Sequence, residues 1–137
     1  MIVDDDIDSR KEAVSQLADG ELIEVVGEAG TSDEAWQIAK QLLPTVILLD
    51  LHLPGFLTVQ DLLKRLCTLP NAKVIMYASN AKVADVQDWL EAGACGYMLK
   101  ADRSALMRMT ILMVSRGSKG VISASLPRYI TRLTYNE

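Results

Sequence analysis

Val46-Ile-Leu-Leu-Asp50 is the stretch on which the fold turns, an unbroken aliphatic run closed by a single carboxylate. A strand with one face in water alternates apolar and polar residues. A strand buried on both faces reads as a continuous apolar run. Residues 46–50 therefore belong at the centre of a parallel sheet. Asp50 then stands at the strand's C-terminal end, where open α/β sheets keep their ligand crevice.

Working outward, other short β-branched or aliphatic runs fall at Met1–Val3, Leu22–Val26, Val74–Tyr77 and Gly96–Leu99. Between them the apolar residues take helical spacing. Ala13, Val14, Leu17 and Ala18 mark a first helix. A second starts at Thr31, where Thr31-Ser-Asp-Glu34 has capping-box spacing, and runs to Leu43 before Pro44. A third begins near Thr58 and ends before Pro70. A fourth spans Lys82 to Ala92 with Gly93 as its breaker, and a fifth spans Asp102 to Arg116 ahead of Gly117. Strict strand–helix alternation predicts a parallel sheet covered by helices on both faces. The first strand is short, as if a few native residues preceded Met1. Beyond Ser125, Leu126, Tyr129, Ile130 and Leu133 predict the start of a linker helix.

Composition excludes several classes of function. The chain has 137 residues, 50% of them hydrophobic, which suits one domain with a packed core and not a disordered segment. Its formal charge of −4 opposes wrapping nucleic acid, which needs a surplus of Lys and Arg. Cys67 and Cys95 lie among apolar neighbours and read as reduced core thiols of a cytoplasmic protein. No apolar run approaches the ~18 residues of a membrane span, and no signal peptide opens the chain. Gly27-Glu-Ala-Gly30 lacks a full phosphate-binding fingerprint and reads as a strand–helix turn. Trp36 and Trp89 read as packed helix residues.

The chemistry converges on the strand ends. Asp4-Asp5-Asp6 follows the first strand, Asp50 ends the third, Ser79 follows the fourth and Lys100 ends the fifth. Carboxylates brought together this way repel unless a cation lies between them. Hard oxygen ligands suit Mg²⁺, which takes one or two carboxylates plus phosphate oxygens and water. The remaining carboxylate can act as a nucleophile towards phosphorus, and phosphoryl transfer asks chiefly for positioning and charge neutralisation. Asp6 and Asp8 fit better as caps of the first helix.

On these residues the chain resembles the receiver domains of two-component response regulators. The matching motifs are Ile2-Val-Asp-Asp-Asp6, Val46-Ile-Leu-Leu-Asp-Leu-His-Leu-Pro-Gly55 and Gly93-Ala-Cys-Gly-Tyr-Met-Leu-Lys100. The resemblance implies a flavodoxin-like, CheY-like fold: a doubly wound (βα)5 three-layer sandwich with parallel strand order 2-1-3-4-5. It implies a receiver domain over residues 1–117 and an extension over 118–137. Asp50 is then the phosphoacceptor and Lys100 the phosphate contact. Asp4 and Asp5 form the acidic pocket, with Asp5 a direct Mg²⁺ ligand alongside Asp50 and the backbone carbonyl of His52. The implied partner is a sensor histidine kinase or a phosphotransfer protein, and the chain is a signalling module and not an enzyme.

Ser115-Arg-Gly and Val121-Ile-Ser123 resemble the NarL/FixJ-type subgroup, whose members usually continue into a LuxR-type DNA-binding domain absent from this sequence. Three positions depart from the family. Ala78 stands where a Thr or Ser hydroxyl usually contacts phosphate, with Ser79 one residue later. Thr58 stands where the loop usually has Gly. Tyr97 keeps the aromatic switch position, but Ala78 removes its usual link to the phosphate. An alternative is therefore an interaction module that works without phosphorylation. A phosphohydrolase of the haloacid-dehalogenase type also uses a strand-end Asp, but wants a second Asp where His52 stands. On the fifth helix, Leu106, Met107, Met109, Ile111, Leu112, Met113 and Val114 wrap nearly around the axis, so either the segment after Gly117 covers it or it docks on a partner, with a homodimer through that helix the favoured reading.

Overall fold

Met1-Ile-Val3 meets the centre of the sheet at once: Ile2 and Val3 lie in register with Leu48 and Leu49. The computed structural model describes residues 1–18, 20–80 and 82–123. Along the chain these form β1 (Ile2–Val3), α1 (Ile7–Ala18), β2 (Glu28–Ala29), α2 (Ser32–Leu42), β3 (Val46–Asp50) and α3 (Val59–Leu66). Then follow β4 (Lys73–Ala78), α4 (Val83–Glu91), β5 (Gly96–Leu99), α5 (Ser104–Ser115) and β6 (Val121–Ile122). All strand pairs are parallel, and the sheet order is β2-β1-β3-β4-β5-β6.

The apolar run of β3 is explained by two cores, one on each side of the sheet. Ile47 and Leu49 join Val3, Val74, Met76, Ala78 and Tyr97 under α2, α3 and α4, which supply Ala35, Ala39, Leu62, Leu63, Leu66 and Val86. Leu48 joins Ile2, Ile75, Tyr77 and Met98 under α1 and α5, which supply Ala13, Leu17, Met107, Ile111 and Val114. Ile47, Leu48 and Leu49 are at most 2% exposed, so continuous hydrophobicity in sequence is two-sided burial in space. The expected doubly wound flavodoxin-like architecture is present.

The helix starts follow their caps. Thr31 Oγ1 accepts the Glu34 N–H at 3.1 Å, and Thr58 Oγ1 accepts the Asp61 N–H at 3.1 Å. Each such cap contributes about 1 kcal/mol. α2 stops at Leu43, which turns left-handed with φ 47° before Pro44.

Two elements differ from the sequence reading. The apolar run Leu22–Val26 is not a strand; the second strand is Glu28–Ala29. A strand needs a partner ladder, and β1 offers only Ile2 and Val3, which pair with Glu28 and Ala29. Ile23 and Val25 keep their hydrophobic role by packing on the α1/α5 core. The sheet also gains a sixth strand, since Val121 and Ile122 pair in parallel with Gly96 and Tyr97. The linker helix expected from Ser125 lies outside the described residues. Among the described residues, no helix is long and apolar enough to cross a membrane.

Candidate functional site

Parallel strands bring the ends of β1, β3 and β5 together. Carboxylate oxygens of Asp4, Asp5 and Asp50 lie within 4.8 Å of one another. The Lys100 ammonium bridges two of them, 3.0 Å from Asp4 Oδ2 and 2.9 Å from Asp50 Oδ2. Asp4 and Asp50 are buried, whereas Asp5 is exposed at the mouth. Asp4, Asp5, Asp50 and Lys100, expected to lie together at the strand ends, are brought together there.

Each carboxylate is held by its own local structure. Asp4 Oδ1 accepts the Asp6 N–H at 3.0 Å, and Oδ2 accepts the Ser9 hydroxyl at 2.6 Å besides Lys100. Burial alone would raise the Asp4 pKa, but these donors outweigh it and hold the carboxyl below its ordinary range. Asp50 Oδ1 accepts the His52 N–H at 3.1 Å, so the carboxylate caps the loop that it starts. Burial dominates at Asp50 and pushes its pKa up, against the pull of Lys100 and His52. Burial acts to lower the Lys100 pKa, yet its bonds to Asp50 and Asp4 leave it raised, and the side chain remains a cation.

Asp6 caps the start of α1, its Oδ1 accepting the N–H groups of Asp8 and Ser9 at 3.0 and 3.1 Å. Beyond exposed His52, the loop turns at Gly55 with φ 131°, and the Phe56 N–H donates to Asp33 Oδ2 at 2.6 Å. The loop beside the carboxylates is thereby tied to the first turn of α2.

The three positions expected to switch, Ala78, Ser79 and Tyr97, differ in their surroundings. Ala78 ends β4 with 2% exposure, on the α2–α4 side of the sheet, and its carbonyl accepts the Lys100 N–H at 2.7 Å. Ser79 has left the strand and is exposed. Tyr97 is fully buried, and its hydroxyl donates to the Asn80 carbonyl at 3.1 Å. Burial raises its pKa to about 12.

Three contributors escaped the sequence reading. Ser9 looks like any first-turn serine until the helix lays its hydroxyl on Asp4. Asp33 looks like an ordinary N-terminal acid of α2 until Phe56 bonds to it. Tyr77 reads as a strand residue, yet Lys100 Nζ lies 5.6 Å from its ring centroid. Asp33 and Tyr77 carry no local signal, because each meets a residue 23 positions away, and Ser9, five residues from Asp4, depends on the turn into the helix for its direction.

A strand-end carboxylate with an acidic neighbour pair and a bridging lysine thus lies at the crest of a doubly wound parallel sheet, where α/β proteins of this class keep their ligand crevice. The profile of the response regulator receiver domain matches residues 1–111, and the chain belongs to that family. Response regulator GacA of Pseudomonas syringae pv. syringae (strain B728a) is 32% identical over 119 residues, which cover 87% of this chain and 56% of that protein. Transcriptional regulatory protein LiaR of Bacillus subtilis (strain 168) is 32% identical over 115 residues, covering 83% and 54% respectively. The chain thus spans little more than half the length of these relatives. Among solved structures, the signal receiver domain of NarL from Mycobacterium tuberculosis superposes with a TM-score of 0.78 at 27% identity, over 85% of this chain and 94% of that one.

Proposed function

We propose that Asp50 accepts a phosphoryl group from a sensor histidine kinase or a phosphotransfer protein, with Mg²⁺ as the metal. The single observation that carries this reading is Asp50 lying 2.9 Å from Lys100 inside a cluster of three carboxylates. A carboxylate oxygen of Asp50 forms the new P–O bond as the donor's P–N bond breaks, and the released imidazole takes a proton. Lys100, already a cation, exchanges a carboxylate partner for a phosphate oxygen and so meets charge that develops during transfer.

The donor set fits the metal, since its oxygens are hard and the exposed Asp5 leaves room for water and phosphate. Asp5 and Asp50 with the His52 carbonyl would hold Mg²⁺, and Asp4 would complete the acidic pocket. Bound there, the ion supplies neutralisation of the phosphate oxygens. Asp4 is less free for direct ligation because Ser9, Lys100 and the Asp6 N–H already occupy it. Residues 1–117 form the receiver in this reading, and the extension over 118–137 begins by adding Val121–Ile122 to its sheet beside β5.

Incubation with acetyl phosphate and Mg²⁺, read by intact mass and peptide mapping, tests the assignment. A phosphoryl adduct on Asp50 that disappears in Asp50→Asn supports it. A folded protein that gains no mass overturns it.

A second reading, an interaction module that signals without phosphate, is favoured by one feature: Tyr97 is already buried and bonded beside an Ala78 that carries no hydroxyl. In that case the phosphoryl mimic beryllofluoride leaves partner binding unchanged. Self-association through α5 belongs to either reading, since Met109 and Met113 are 59% and 42% exposed on its outer side. Met109→Glu with Met113→Glu then abolishes any concentration-dependent dimer seen by sedimentation.

A further inference from the structure

Tyr77 stands on β4 between the two strands that carry the reactive pair. In register it lies beside Asp50 on β3 and beside Met98 on β5. Its side chain is buried with the α1/α5 core, only 2% exposed. Lys100, two residues beyond Met98, brings its ammonium to 5.6 Å from the ring centroid while bonding Asp50 and Asp4 at 2.9 and 3.0 Å. One nitrogen is thus in contact with two carboxylates and an aromatic ring.

A lysine stem is flexible, and its ammonium is a point charge without the directional fork of a guanidinium. Two carboxylates alone would fix how far that charge sits from them, but not on which side. A ring face is attractive to a cation within about 6 Å of its centroid, and more so where water is partly excluded. The Lys100 main chain is fixed at the same time, because Asp102 Oδ2 accepts the Leu99 N–H at 3.0 Å and the Lys100 N–H bonds Ala78 O. Burial raises the Tyr77 hydroxyl pKa to about 12 despite the opposing pull of Lys100, so the ring is neutral.

We propose that Tyr77 is a positioning residue that acts through Lys100: its ring holds the ammonium between Asp4 and Asp50 and sets the rate at which Asp50 is phosphorylated. The inference rests on the phosphoacceptor reading of Asp50. It assigns the ring face, and not the hydroxyl, as the working part of Tyr77.

The test compares Tyr77→Phe, Tyr77→Leu and Tyr77→Met, below the thermal midpoint of each. Phosphorylation by acetyl phosphate with Mg²⁺ is followed by mass, and the Lys100 ε-methylene is followed by NMR in the free protein. Loss of the ring in Leu or Met is expected to slow phosphorylation roughly three- to tenfold, while Phe stays within about twofold of wild type. The Lys100 ε-proton resonance should move out of the ring's shielding in Leu and Met and stay in place in Phe. The resonance reports the contact, and the rate reports the positioning: a merely structural tyrosine would change stability and leave the phosphorylation rate of the folded protein at the wild-type value. Wild-type rates in Leu and Met would overturn the proposal whatever the resonance does, as would a Phe variant slowed as much as Leu. Should wild type itself take up no phosphoryl group, the phosphoacceptor reading fails. The resonance then still reports whether the ring lies against Lys100 in solution.

Discussion

Lys100 Nζ lies 2.9 Å from Asp50 Oδ2 and 3.0 Å from Asp4 Oδ2, so one ammonium separates two buried carboxylates. Asp4 stays ionised below the ordinary range and Asp50 is pushed above it, which makes the lysine the balance of the cluster. The first prediction follows from removing it. Lys100→Met keeps the stem but leaves the carboxylates facing each other, and should cost about 2–3 kcal/mol of stability at pH 7. The loss should shrink in acid, where a carboxylate can take a proton. Urea unfolding at both pH values measures it, and phosphorylation by acetyl phosphate should fall by roughly tenfold or more.

Asp5 is exposed, makes no ion pair among the described residues and joins the three-carboxylate cluster, so its place in the fold is not structural. Asp5→Asn should leave the thermal midpoint without added cation within about a degree, as expected of an exposed position. It should weaken Mg²⁺ or Mn²⁺ binding roughly tenfold or more. The cation-induced rise in midpoint, which mass action ties to affinity, should therefore need more metal.

Tyr97 gives a pH signature. Its folded pKa is raised by burial to about 12, from an ordinary value of 10. The folded state therefore holds the proton more tightly than the unfolded chain. The stability this contributes is complete below pH 10 and is lost as pH rises towards 12. Tyr97→Phe lacks that loss. At pH 7 it should be about 1 kcal/mol less stable, through the missing bond to Asn80. The gap between variant and wild type should close above pH 10, as denaturant midpoints would report.

Gly55 should be intolerant of a side chain. Its φ is 131°, and an added Cβ would collide with Ser32 Oγ and the Asp33 carboxylate. Gly55→Ala should cost about 2 kcal/mol or more. Gly117, with φ 102° but open space around it, should cost less on the same change. Only Gly55→Ala should also slow Asp50 phosphorylation, because its loop begins at the Asp50–His52 bond.

Much of this was legible in the chain. The unbroken run Val46–Leu49 announced a central strand because only two-sided burial tolerates it. Thr31 and Thr58 announced helix starts because a capping hydroxyl acts within three residues. Asp4, Asp5, Asp50 and Lys100 could be expected together, since a parallel sheet aligns every strand's C-terminal end. Local periodicity and strand direction are properties that sequence carries.

What the tertiary structure decided depends on pairing across the sheet. Leu22–Val26 has the composition of a strand, but pairing with β1 selected Glu28–Ala29. Val121–Ile122 became a strand because Gly96 and Tyr97 offered an edge. Ser9 on Asp4, Asp33 on Phe56 and Tyr77 beneath Lys100 came from register and helix placement. Hydrogen bonds and ring contacts form between neighbours in space, and a linear pattern records neighbours only along the chain.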